Sequence, residues 1–293
     1  MNPTKDSLYG GIAGVSMNTD QVDLGHGVVL SKTFAHFMAP FLMAFAPAEK
    51  GKHHPGPLSV VNGGIGFDIH IQIFVPSTFA LPNFFDRLNT VWWITALIRL
   101  CGAFGGHLPV IADRPFSQIP ENSKEANILP VEVLPRQLSK EISQTELSDE
   151  DIKWLRCVWI TGGRLMGSSV EFNDAFQALD AAGAMPTKSV ALLAVWGALE
   201  RLFSPDNREL RFRVSANIAA YLEEAGEGRL TLQRRISKLY DARSSVAHGT
   251  RLKSPDAWAE THELANRIVK KILTCGQVPS REDLDNRLFA PNI

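Results

Sequence analysis

Phe67-Asp68-Ile69-His70-Ile71-Gln72-Ile73-Phe74-Val75 is the stretch that sets the class of the first half of this chain. Successive side chains of a strand point to opposite faces, so Phe67, Ile69, Ile71, Ile73 and Val75 fall on one side and Asp68, His70 and Gln72 on the other. That alternation belongs to a strand with one buried and one polar face. Shorter extended segments are predicted at 27–30, 58–61, 108–112 and 128–134, each bounded by Gly, Pro or Asn. One helix interrupts them: Phe84, Leu88, Val91, Trp92, Thr95 and Ile98 recur at three- and four-residue steps, and Gly102 can close the helix. The aromatic residues Phe84, Trp92 and Trp93 are most economically core.

Working outward toward the C-terminus, the chain turns polar and Pro-rich over 113–127 and polar again over 135–147, which puts a domain boundary between Asp113 and Ser148. Beyond it the period becomes helical. Ser148 offers an N-cap, Asp149, Glu150 and Asp151 suit the first turn, and Ile152, Leu155, Val158 and Trp159 form a stripe that Gly162-Gly163 is expected to end. Further stripes follow in Phe172–Leu179, Leu192–Phe203, Leu210–Leu222 and Leu232–Val246. The last starts at Ser254-Pro255-Asp256, a cap followed by Pro, and carries Trp258, Ala265, Ile268, Ile272 and Cys275. About six helices at this spacing imply an antiparallel bundle. The fold class is therefore α+β: a sheet-containing N-terminal domain over 1–135, an all-α domain over 148–276 and a tail over 277–293.

A chain of 293 residues that is 45% hydrophobic can bury a core for two units of this size. Its 30 Lys and Arg are matched by 31 Asp and Glu, so no global attraction to nucleic acid follows and any such binding must use a local patch. The three cysteines, Cys101, Cys157 and Cys275, are odd in number and widely spaced, which argues against a disulfide framework or zinc knuckle and fits a reducing cytoplasm. No basic segment followed by an apolar run opens the chain, and the apolar run of 37–48 is broken by Pro40 and Pro47, so neither a signal peptide nor a membrane span is expected. His26, His36, His53, His54 and His70 lack any metal-ligand spacing. Asn62-Gly63-Gly64-Ile65-Gly66 lacks the Lys and Ser/Thr of a phosphate-binding loop and reads as a turn.

The segment Leu239-Tyr-Asp-Ala-Arg-Ser-Ser-Val-Ala-His-Gly-Thr250 places Arg243 and His248 near the end of a predicted helix, and Trp196-Gly-Ala-Leu-Glu-Arg-Leu-Phe203 places Glu200 on another. These two segments resemble the Apea-like members of the HEPN ribonuclease superfamily. The resemblance spans the last half of the chain and implies a HEPN-type bundle with Arg243 and His248 at an RNA-cutting site and Glu200 as the accompanying acid. It further implies a homodimer, RNA as substrate, no metal or other cofactor, and a setting in phage defence or a toxin system. Ser244 stands where many members carry Asn, Asp or His.

The residues suit that chemistry. Metal-free cleavage of RNA needs a proton-transfer group for the 2′-hydroxyl and the leaving oxygen, which His248 supplies, and a fixed cation against charge on the phosphorane, which Arg243 supplies. Ser244, four residues before His248, shares its helix face and can orient the imidazole or meet a phosphate. Arg229, Arg234, Arg235, Lys238, Arg251 and Lys253 surround this segment with only Asp241 opposing them along the chain, a patch suited to phosphate contacts. Five steps of about 100° set Arg243 and His248 about 140° apart on an ideal helix, so a shared cleft needs the reach of Arg or a second subunit. Three readings stay open here: cleavage; RNA or partner binding without turnover; and a structural role in which Arg243 pairs with Glu200 or Asp241. The N-terminal domain is expected to sense or guide an unknown ligand or protein.

Overall fold

The computed structural model describes residues 7–45, 48–52, 57–121, 124–132, 136, 138, 144–204, 210–249, 252, 254 and 256–289, with the backbone alone described for 39–45 and 57–65. The fold is α+β. Its strands are β1 (Leu8–Ala13), β2 (Ser16–Met17), β3 (Gln21–Gly25), β4 (Val28–Phe45), β5 (Pro57–Val75), β6 (His107–Ala112), β7 (Ile128–Pro130) and β8 (Glu146–Leu147). Six of them form an antiparallel sheet in the order β3-β4-β5-β1-β6-β7, and β2 pairs with β8 in a short parallel bridge.

The central strand carries the expected apolar residues, but not all on one face. Ile12 lies opposite Ile71 while Ala13 lies opposite Ile69, so His70 is an extra residue on β5. A bulge of this kind reverses the alternation. Ile71, Ile73 and Val75 enter the main core, whereas Phe67 and Ile69 join a smaller cluster around Phe116 on the other side. Gln72, expected among the solvated residues, is buried beneath that cluster and its Oε1 accepts from the Phe116 N–H at 2.8 Å. The ladder also runs further than periodicity indicates, with Met38 opposite Gly66 and Phe41 opposite Asn62. Residues 62–66 are therefore strand, not turn: the partner strand takes up their backbone hydrogen bonds, and glycine marks a turn only where no such partner exists.

Helix α1 (Arg87–Leu100) starts at Asp86, whose side chain accepts from the Asn89 N–H, and most of its length is buried, including Trp93, Leu97 and Ile98. It crosses the sheet and meets α2 (Asp149–Ser168) on its far side. Ser148 and Asp151 form a reciprocal capping box at the start of α2. Gly162-Gly163 does not end this helix. A Cβ on Gly162 would stand 2.6 Å from Cδ2 of Leu273, and one on Gly163 would stand 2.1 Å from Cε2 of Phe84, so the pair gives neighbouring side chains access to the helix backbone.

The chain continues through α3 (Val170–Ala182), α4 (Lys188–Phe203), α5 (Leu210–Leu222), α6 (Glu227–Ala247) and α7 (Asp256–Cys275). With α2 these are the six helices expected between 148 and 276. Contacts Arg211–Asp241 and Ser215–Ser237 show α5 and α6 running antiparallel. The segment expected as a tail holds a further helix, α8 (Arg281–Phe289), docked on α5 with Leu284 buried. Its single core leucine is too weak a periodic signal to announce a helix. No helix among the described residues is long and apolar enough to cross a membrane.

One buried cluster runs from Leu8 through α1 to Leu284, so the sheet and the helices share a core across the boundary at 113–148. Two indoles stitch it: Trp93 Nε1 donates to the Trp159 carbonyl and Trp159 Nε1 to that of Leu24, each at 2.8 Å. Beside them Arg99 of α1 meets Asp180 of α3 through two bonds of 2.7 and 2.9 Å, and Glu132 at 3.3 Å. Burial opposes the Arg99 charge, but Asp180 and Glu132 outweigh it and raise its pKa. Arg136 joins the same acids at 3.6 and 3.7 Å, and burial followed by repulsion from Arg99 lowers its pKa to about 10. His262 lies against Phe104 and Trp258, and burial, then Arg136, lowers its pKa to about 4.

Two outcomes follow. Gly163→Ala should lower stability by about 1–3 kcal/mol through overpacking against Phe84, measured by urea unfolding. Gly197→Ala, on α4 where an added Cβ meets nothing within 4 Å, should be neutral or stabilise by up to about 1 kcal/mol. The His262 shift makes a pH test. Its folded pKa of about 4 lies below the ordinary 6.5, so the unfolded chain takes up the proton first as pH falls. Stability is full above pH 6.5 and declines toward pH 4, by on the order of 3 kcal/mol. Denaturant curves at pH 7 and 4.5 should show this fall, and His262→Phe should flatten it.

Candidate functional site

Helix α6 divides its residues between two faces. Ile236, Leu239, Tyr240 and Val246 are buried, whereas Arg234, Lys238, Asp241, Ser245 and His248 are exposed. Arg243 falls on the core side, one turn from Tyr240 and Leu239, in keeping with its helical position. Its guanidinium reaches α4, where Nη2 lies 3.0 Å from Oε1 and 3.1 Å from Oε2 of Glu200. Tyr240 donates its hydroxyl to Glu200 Oε1 at 2.8 Å. The Arg243 Cζ stands 5.4 Å from the centre of the Tyr240 ring, and Trp196 packs edge-on against that ring at 5.2 Å.

These contacts fix one carboxylate between a phenol and a guanidinium in a partly buried space. Burial, then the hydrogen bond to Glu200, raises the Tyr240 pKa to about 12, so the phenol remains a donor. The Arg243 Nε and Trp196 Nε1 groups are buried without a hydrogen-bond partner among the described residues. Such orphaned donors are costly to keep and mark places where a water or an incoming acceptor would be held.

His248 has a different environment. It is the C-cap of α6, its N–H donating to the Ser244 carbonyl at 3.1 Å, and its side chain is exposed. Gly249, at a φ of 81°, then donates to the Val246 carbonyl at 3.0 Å. Ser244 lies half-buried beside them. Arg243 and His248 thus belong to one helix end but to different faces, and the chain on its own does not set the imidazole beside the guanidinium.

The basic run is less isolated than the chain order suggests. Arg229 Nε donates to the Glu223 carbonyl at 3.1 Å and Nη1 to that of Arg287 at 2.9 Å, tying the turn before α6 to α8. Arg235 pairs with Glu260 of α7, and Asp241 pairs with Arg211 of α5 at 2.7 Å. The groups that answer Arg229 and Arg235, two backbone carbonyls and the Glu260 carboxylate, come from other parts of the bundle and are invisible in the local sequence. Arg234 and Lys238 are exposed on the His248 side, while Arg251, Lys253 and the pair His53-His54 lie outside the described residues.

Sequence reasoning passed over Tyr240 as an apolar-stripe residue. Its place three residues before Arg243 was the available signal, since i and i+3 share a helix face and a buried phenol needs an acceptor. His36 pairs with Asp68 across β4 and β5 at 2.7 Å, and His70 packs on Phe34. Among the described residues no group of three or more His, Cys, Asp or Glu is arranged to hold a metal ion. No family model, curated protein or solved structure matches the chain.

The Glu200–Arg243 contact can be measured by a double-mutant cycle. Glu200→Ala leaves a guanidinium partly buried without its carboxylate, and Arg243→Ala leaves the converse. Each should destabilise, and the double variant should lose less than the sum, with a coupling of about 1–3 kcal/mol. Strict additivity would mean that the contact contributes nothing to folding.

Proposed function

We propose that this chain is a metal-independent endoribonuclease of the HEPN kind, working in the cytoplasm as a homodimer. The observation that carries the reading is the Glu200–Tyr240–Arg243 cluster at the end of α6, with the exposed imidazole of His248 one turn beyond it. Glu200 and Tyr240 limit the motion of the guanidinium, so it arrives at a phosphate pre-oriented and reorganises little as charge develops. His248 is open to solvent and free of the bundle's packing, which suits a group that must exchange protons with substrate.

In the proposed step, His248 takes the proton of a ribose 2′-hydroxyl. The 2′-oxygen then attacks the adjacent phosphorus, a P–O2′ bond forms and the P–O5′ bond breaks. The leaving 5′-oxygen takes up a proton from solvent, the His248 imidazolium returns its proton to solvent, and the products are a 2′,3′-cyclic phosphate and a 5′-hydroxyl. Arg243 offsets the charge on the equatorial oxygens. The separation of about 140° on one helix makes a second copy the natural source of the missing half, with Arg243 of one chain facing His248 of its partner. Arg234 and Lys238 would lie along the path of the strand. A role in phage defence or a toxin system follows from the family resemblance alone.

The second reading is a non-catalytic module that binds RNA or a protein partner. One observation favours it: both carboxylate oxygens of Glu200 already face the Arg243 Nη2 group, and a guanidinium so engaged is less available to phosphate.

End-labelled total RNA separates the two readings. Wild-type protein should give cyclic-phosphate and 5′-hydroxyl ends in EDTA and leave DNA intact. His248→Ala should reduce cleavage by on the order of a hundredfold or more without changing the melting temperature. Mixing inactive Arg243→Lys with inactive His248→Ala should restore activity, since each mixed dimer regains one complete pair. Binding without new ends would select the second reading, and 5′-phosphate ends that vanish with EDTA would exclude this mechanism.

A further inference from the structure

A cavity of about 560 Å³ lies between the start of α3, the end of α4, the start of α5 and α8. Its size falls within the range of pockets that take a small organic group. Phe203 and Leu284 are buried in its wall, whereas Phe212 on α5 and Phe289 on α8 also line it and are 64% and 80% exposed. A single exposed phenylalanine is ordinary, but two on separate helices lining one cavity make an aromatic surface on which a planar ring can stack. Arg201, Arg213 and Arg281 line the same cavity, against the carboxylates of Glu171 and Asp285.

We propose that this cavity seats one nucleotide, with its base against Phe212 and Phe289 and its phosphate on the arginines around it. An aromatic ring joined to an anion is the chemistry that matches both halves of the lining. A fatty acid would match the charge but not the two exposed rings, and a neutral aromatic would match the rings but not the charge. The carboxylate contacts of Arg201 and Arg281 are solvent-exposed. Arg201 pairs with Asp174, and Arg281 stands 3.9 Å from Asp285, all four side chains being about half exposed or more. Exposed pairs of this kind are weak and exchange readily for a phosphate with two negative oxygens.

The position favours a nucleotide of an RNA strand. Arg201 follows Glu200 in α4, and Phe212 follows Arg211, which pairs with Asp241 of α6. The Arg201 and Phe212 side of the cavity therefore lies at the Arg243 end of the bundle, while Phe289, two residues beyond the Arg287 carbonyl that meets Arg229, lies toward the start of α6, so the cavity runs along the bundle as a strand would. The proposal extends the RNA reading above, but it concerns binding at separate residues and is read out without cleavage.

The test is fluorescence anisotropy with a short labelled single-stranded RNA whose 2′-positions are O-methylated, so that the 2′-hydroxyl route is closed. Phe212→Ala and Phe289→Ala should each weaken binding by on the order of tenfold, while melting temperature stays constant because both rings are exposed. Phe34→Ala, removing an equally exposed ring on β4, should leave affinity unchanged. Displacement by adenosine monophosphate identifies a free nucleotide as sufficient, and failure to displace identifies a requirement for flanking phosphates; the assignment survives either result. An unchanged affinity in the double variant Phe212→Ala/Phe289→Ala overturns it, as does a wild-type chain that binds neither probe. Binding that depends on these rings in a chain that cuts no RNA would remove the nuclease reading and leave the nucleotide site standing.

Discussion

The position of α1 depends on a buried charge that must be neutralised where it lies. Arg99 is carried by a largely buried helix into the space between sheet and bundle, where its side chain is 5% exposed. A lone cation there would be prohibitively costly, and the cost is offset only by good geometry with more than one acceptor. Asp180 supplies the bidentate contact from α3 and Glu132 a second acceptor from the segment after β7. Glu132 also accepts from the Leu108 N–H at 2.8 Å, at the start of β6. Sheet, central helix and bundle thus meet at one set of charges whose partners come from all three. The surrounding apolar contacts supply most of the burial, but they are non-directional. The guanidinium fork is directional, and its bonds to Asp180 and Glu132 tie the three layers together.

How much of this was legible in the sequence depended on whether the cause was local. The capping box at Ser148 and the stripes of the six helices between 148 and 276 are set by neighbours a turn away, and the structure has them where periodicity puts them. The bulge at His70 is not local, since an extra residue on β5 is defined only by its register against Ile12 and Ala13 of β1. Gly162-Gly163 carries a helix-ending signal in one dimension and a packing role in three. Leu273, Trp93 and Phe84 arrive from distant parts of the chain to occupy the space that the missing Cβ atoms leave. The long ladder of β4 and β5 was hidden for the same reason, because Pro40 and Gly63-Gly64 are punctuation until a partner strand stands opposite.

The candidate site divides along the same line. Glu200 and Arg243 were both singled out from sequence, and the structure brings them together at hydrogen-bonding distance. Tyr240 was absent from that set because a tyrosine in an apolar stripe is ordinarily packing. Its hydroxyl acquires meaning only when Glu200 is seen across the gap. The basic run of α6 is the converse case. Charges counted along one helix ignore those on adjoining elements, and Glu223, Glu200 and Glu260 or their backbones take up three of the cations.

The two faces of α6 place different demands on its residues. On the core face, Arg243 sits among Leu239, Tyr240 and Val246, and any change there alters packing together with whatever chemistry the guanidinium performs. On the outer face, His248 and Lys238 touch little of the bundle, so their roles are free to change without loss of fold. A partly buried cation held by a carboxylate gives up its partner at a cost, while an exposed imidazole on a helix cap has no such contact to lose. If both act on one phosphate, the outer face must be brought to the guanidinium of another copy rather than the guanidinium drawn out to it. Withdrawing Arg243 would leave the Glu200 carboxylate partly buried with only a phenol for company, a greater cost than ordering an exposed cap against a second chain.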